Sequence, residues 1–173
     1  MSYELREEMA RVAACLKFNL PKPLSPEVIR DRDVMCVTES GNCKNAAFIV
    51  LLLHHILGLS WCQHPFPIVI IVPNQERAVE VCNMVDDIRD GCRWLARYLF
   101  VEDMERVMSI DSIMGMTTVN VRTLSWCVAN VEDTKRLVKW VSLLVIDEVD
   151  KIVEMDIASE LWLILRNADT RRR

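Results

Sequence analysis

Hydrophobic positions along this chain switch between helical and strand periods, and the switching predicts its elements. Leu5, Met9, Val12 and Leu16 recur at helical spacing, so residues 3–18 read as an amphipathic helix, which Pro21, Pro23 and Pro26 separate from the rest. Beyond that linker, Asp33–Val37 reads as a short strand, Asn45–Leu57 as a helix stopped by Gly58, and Pro67–Val72 (PIVIIV) as a buried strand. Gln75–Tyr98 carries a long helical pattern. A strand near Leu99–Val101, a helix over Asp103–Met108, a strand at Thr117–Arg122 and short helices up to Trp140 then precede a strand at Leu143–Ile146. The last predicted helix, Ile152–Leu165, turns Ile152, Ile157, Leu161 and Leu165 toward the core. Strands alternating with helices imply right-handed β-α-β units, hence an α/β fold with a mostly parallel sheet and helices on both faces.

Composition narrows the setting. A chain of 173 residues, 51% hydrophobic, buries one substantial core. It divides by pattern into an N-terminal helix and linker over residues 1–22 and one domain over 23–173. The net charge of −4 provides no overall basic field, so any nucleic-acid surface has to be local. The seven cysteines are odd in number, scattered and mostly set among apolar residues. That pattern predicts reduced, buried thiols in a cytoplasmic protein rather than a disulfide framework. Met1–Glu8 is polar and acidic, unlike a signal peptide, and the longest apolar run, Ala46–Leu53, is too short to span a bilayer, so no membrane partner is expected. The abrupt ending at Arg171, Arg172 and Arg173 reads as a cut from a longer protein.

Two places carry candidate chemistry. Leu143–Asp150 (LLVIDEVD) sets a short apolar strand in front of three carboxylates, and acids at the C-terminal edge of a parallel strand are where α/β proteins hold Mg²⁺ and a nucleotide. The first strand runs through Thr38-Glu39-Ser40-Gly41-Asn42-Cys43-Lys44-Asn45 into a helix. A glycine-containing turn, a lysine and a helix N-terminus make a phosphate cradle, in which backbone N–H groups face the anion and the lysine reaches its outer oxygens. Here the cradle is damaged: Cys43 replaces the glycine before the lysine, and Asn45 the hydroxyl residue that binds Mg²⁺. Other groups point less far. Cys62 and His64, near His54 and His55, lack a second paired ligand at zinc spacing. Cys43 reads as a passive thiol, and Trp94, Trp126, Trp140 and Trp162 as core or lobe-interface residues.

From Asp33 to Phe48 the chain resembles, without a gap, the first motif of DEAD-box RNA helicases. Pro73-Asn74-Gln75-Glu76-Arg77-Ala78 is similar to the family's PTRELA segment, keeping Pro, Glu and Ala, and Asp147-Glu148-Val149-Asp150 stands at the DEAD position with Val for Ala. Thr123 falls near the family's TPGRL segment, from which Leu124-Ser125-Trp126 departs. The likeness runs from about Pro23 to the end and implies an N-terminal RecA-like lobe, a three-layer sandwich, without the second lobe. By that resemblance Asp147 holds Mg²⁺ through water, Glu148 orients or deprotonates the attacking water, and Gly41, Cys43, Lys44 and Asn45 cradle Mg-ATP, with Asn45 beside the metal. Glu76, Arg77 and Thr123 lie on segments that in the family touch the RNA sugar-phosphate backbone. Structural alternatives stay open for each: a solvated first-turn lysine for Lys44, a surface acid for Glu148, an exposed helix pair for Glu76 and Arg77.

The departures bear on function. A Cβ at Cys43, where the family backbone approaches phosphate, costs about 1–3 kcal/mol if the loop keeps its shape. That corresponds to roughly tenfold to a hundredfold in nucleotide affinity. Asn45 offers Mg²⁺ an oxygen on a longer arm, Glu39 adds a negative charge near the triphosphate, and Lys22–Glu27 has no counterpart of the family's adenine-reading glutamine. These features predict weak or lost ATP binding in a domain that acts as an RNA-binding and assembly module. The manner of decay is similar to the Tudor-associated Yb type, which implies a place in the piRNA pathway and protein partners in RNA granules. Two alternatives stand beside it: a working ATP-dependent RNA helicase lobe, and a protein-interaction scaffold that retains only the RecA-like fold. The isolated lobe is expected to be inactive in each case, because the family completes its site with a second lobe.

Overall fold

The computed structural model describes Leu52 and residues 68–91, 96–100 and 118–166. By compactness the chain separates into Met1–Gln63 with Arg171–Arg173, and His64–Thr170. Leu52, helical and buried, is the one described residue of the first unit. The elements expected over residues 3–18, 33–37 and 103–108 lie outside the described residues, as does all but Leu52 of the helix expected at 45–57.

In the second unit the elements run β1 (Ile68–Val72), α1 (Gln75–Gly91), β2 (Ala96–Phe100), β3 (Thr118–Thr123), α2 (Leu124–Ala129), α3 (Val131–Trp140), β4 (Leu143–Ile146), α4 (Val149–Val153) and α5 (Ala158–Leu165). The four strands form one parallel sheet in the order β2-β3-β1-β4. β1 is central, paired from Ile68↔Val119 to Val72↔Thr123 on one side and from Ile68↔Leu143 to Ile71↔Ile146 on the other. All five of its side chains are buried, as a strand covered on both faces requires, which is why IVIIV shows no alternation. Val69 and Ile71 point into a cluster with Leu124, Trp126 and Cys127 of α2, Leu137 and Val138 of α3, Ile152 of α4, and Leu161 and Ile164 of α5. α1 packs on β1, β2 and β3 outside that cluster, burying Ala78, Val81, Cys82 and Val85 at helical spacing, so helices cover both faces. The α/β fold expected from the alternation is therefore the one observed. Among the described residues no helix is long and apolar enough to cross a membrane.

Two predicted helices need correction. The pattern over Gln75–Tyr98 is a helix to Gly91, and the strand expected near Leu99–Val101 starts earlier, at Ala96, and pairs with β3 as the outermost of the described strands. A short run such as Ala96-Arg97-Tyr98-Leu99-Phe100 suits either state, and pairing along Thr118–Arg122 decides for the strand. The last helix is broken in two: Met155 N donates to Ile152 O (3.1 Å) and Ala158 N to Met155 O (3.0 Å), turns that bend the chain between α4 and α5. The break has a packing cause. At about 100° per residue, Ile152 and Leu161 would lie on opposite sides of one straight helix, yet both are in the core. Ile164 is fully buried where Leu165 was expected, and Leu165 is only partly covered.

The described tryptophans divide as well, Trp94 lying outside the described residues. Trp126 is buried beneath the Arg122 guanidinium, 4.1 Å from its ring centroid, whereas Trp140 and Trp162 are 52% and 67% exposed.

Candidate functional site

β1 and β4 are parallel neighbours, so the segments leaving their C-terminal ends lie side by side. The chain runs from β1 toward the β2 edge and then from β3 past β1 to β4. Sheets of this class place ligands outside the carboxyl ends of the strands where the strand order reverses in this way. After β1 come Pro73, buried, and Asn74, whose Oδ1 accepts from Arg77 N (2.9 Å) while its carbonyl accepts from Ala78 N (3.1 Å). This cap starts α1 and fixes Arg77 in its first turn. After β4 comes Asp147, whose N–H donates to Ile71 O at 2.9 Å and continues the ladder one residue beyond the strand.

The Asp147 carboxylate is enclosed by donors. Its Oδ2 accepts from Arg77 Nε and lies the same 2.7 Å from Arg77 Nη2, and its Oδ1 accepts from Glu148 N at 2.9 Å. The third guanidinium nitrogen, Arg77 Nη1, lies 2.7 Å from Glu80 Oε2. The Arg77 and Asp147 side chains are only 11% and 15% exposed. Burial works against the charge on Arg77, but Glu80 and Asp147 outweigh it and hold the guanidinium above its ordinary value.

Glu148 follows in the left-handed conformation, φ 51° and ψ 50°, and its carbonyl accepts from Ile152 N at 3.1 Å to start α4. Its Oε2 lies 2.9 Å from Lys151 Nζ. That contact, together with the negative field of Asp150, keeps the Lys151 ammonium above its usual value.

The sequence-expected residues are thus placed unevenly. Asp147 and Glu148 are together at the end of β4, and Arg77, expected on the RNA-facing segment, has its guanidinium on Asp147. Glu76 is exposed on the first turn of α1. Thr123 is 4% exposed and caps α2, its hydroxyl accepting from Trp126 N at 3.2 Å. Gly41, Cys43, Lys44 and Asn45 lie outside the described residues.

Pairing between residues 77 and 147 escaped the sequence reading, because nothing local ties positions 70 apart. A signal was nevertheless present: Arg77 stands where the PTRELA pattern has an apolar leucine. As for a divalent metal ion, the Asp147 oxygens do not fit one as they stand, since the guanidinium and a cation would compete for Oδ2.

Residues 23–173 match the family of DEAD/DEAH box helicases. The chain is 23% identical over 176 residues to the ATP-dependent rRNA helicase RRP3 of Lodderomyces elongisporus, covering 99% of this chain and 34% of that protein. It is 25% identical over 171 residues to RRP3 of Meyerozyma guilliermondii, covering 95% and 35%. The ATP-dependent rRNA helicase rrp3 of Schizosaccharomyces pombe is 25% identical over 172 residues, covering 96% and 36%. The chain therefore spans about a third of the length of these curated relatives.

Proposed function

Since the chain belongs to the DEAD/DEAH box helicase family, we propose that it is an RNA-facing RecA-like lobe in which ATP binding is weakened or lost and whose role is RNA binding and assembly. The observation that carries this reading is the Lys44 loop, where Cys43 and Asn45 replace the glycine and hydroxyl residue on which phosphate and Mg²⁺ depend. The relatives support the RNA side, since they are named as RNA helicases, and contacts to an RNA sugar-phosphate backbone are hydrogen bonds and ion pairs that involve no phosphate hydrolysis. A role in the piRNA pathway rests only on how the loop departs from the family, and the relatives, named for rRNA, lend it nothing.

Calorimetric titration with Mg-ATP and filter binding of single-stranded RNA test the proposal together. RNA retained in a salt-dependent manner without measurable Mg-ATP binding is the expected pair of results. Micromolar Mg-ATP affinity would overturn it in favour of a working helicase lobe, and binding of neither ligand in favour of a protein-interaction scaffold. The double change Cys43→Gly with Asn45→Thr should raise nucleotide affinity by roughly tenfold to a hundredfold.

A further inference from the structure

Arg77 meets Asp147 in a way that goes beyond a surface ion pair. Two guanidinium N–H groups converge on one carboxylate oxygen, the neighbouring backbone amide takes the other, and Glu80 ties the outer nitrogen of the arginine. Planar arginine suits such clamping, and partial burial strengthens charge-assisted hydrogen bonds relative to water. The next acid also faces a cation, though a half-exposed one, with Lys151 Nζ 2.9 Å from Glu148 Oε2. A divalent cation approaching the end of β4 would therefore find both acids already facing positive charge. It would have to displace a guanidinium held on two sides.

We propose that Arg77 is the resident cation of Asp147, closing this carboxylate to Mg²⁺ by holding the oxygen on which the metal's hydration shell would rest. The proposal shares with the preceding reading the assignment of Asp147 to the family's metal position, but it concerns a different cause from the Lys44 loop. Repairing Cys43 and Asn45 alone leaves Arg77 in place. A metal-binding test without nucleotide or RNA therefore separates its failure from failure of that reading.

Mn²⁺ is the probe, because a bound paramagnetic ion broadens nearby amide signals. With the whole chain isotope-labelled, Mn²⁺ should leave the Asp147 and Glu148 amides unaffected in the unaltered protein. It should broaden them selectively in Arg77→Leu, which restores the leucine of the family pattern, and the effect should vanish in Arg77→Leu combined with Asp147→Asn. Equal broadening with and without Arg77, or none in either, would overturn the proposal. Should Arg77→Leu not fold, the unaltered protein still decides: the Arg77 Nε–H signal should persist, slowly exchanging, when Mg²⁺ is added. Its loss or displacement on adding Mg²⁺ would mean that the metal takes the carboxylate.

Discussion

Glu148 is a long side chain on backbone that glycine favours, with φ 51° immediately before α4. A Cβ in this region costs roughly 1–2 kcal/mol. Both Glu148→Gly and Glu148→Ala lose the contact with half-exposed Lys151, so the difference between them isolates the backbone. Glycine should be the more stable of the two by about 1 kcal/mol in urea denaturation, the reverse of their usual order. Equal stability would show that the turn is not held left-handed. Asp147 and Glu148 were legible as a pair because acids directly after an apolar strand are adjacent in sequence. Arg77 was legible as a charge on the right segment but not as the partner of Asp147, because that contact exists only once β1 and β4 lie side by side.

Among the elements, β1 and β4 were legible nearly to the residue, since a continuous run of β-branched and leucine side chains bounded by polar or turn residues has few other uses. The α2 start is set by one hydroxyl: Thr123 Oγ1 accepts from Trp126 N at 3.2 Å in a buried setting. Thr123→Ala should therefore cost about 1 kcal/mol, with Thr123→Ser close to the unaltered protein, read from urea midpoints. A loss of only a few tenths would mean that the cap contributes little. Farther along, the Thr134 hydroxyl reaches Cys127 O at 3.2 Å and joins α3 to α2. Where helix and strand periods both fit a segment, as at Ala96–Tyr98, the sequence pattern alone chose wrongly. The partner strand supplied what the local pattern lacked.

At the scale of the whole molecule, the cluster on the α2, α3 and α5 face joins elements spread from Val69 to Ile164 and so opens only when much of the unit opens. Cys127 reports on this. Burial pushes its thiol up to about 11, against an ordinary value of 9.0, although Arg122 opposes the shift. At pH 8 the native thiolate fraction falls by about a hundredfold, so alkylation of Cys127, followed by mass spectrometry, should be at least that much slower than in the unfolded chain. Rapid labelling would mean that the cluster opens locally. The sequence by itself determined the alternation of strands and helices, the family likeness and the acids that end β4, because periodicity, short motifs and their spacing are local and ordered along the chain. Only the tertiary structure decided the strand order β2-β3-β1-β4, the break between α4 and α5, and the seating of Arg77 on Asp147. Each depends on surfaces that meet across long sequence separations, where packing and charge pairing act between groups that no local pattern connects.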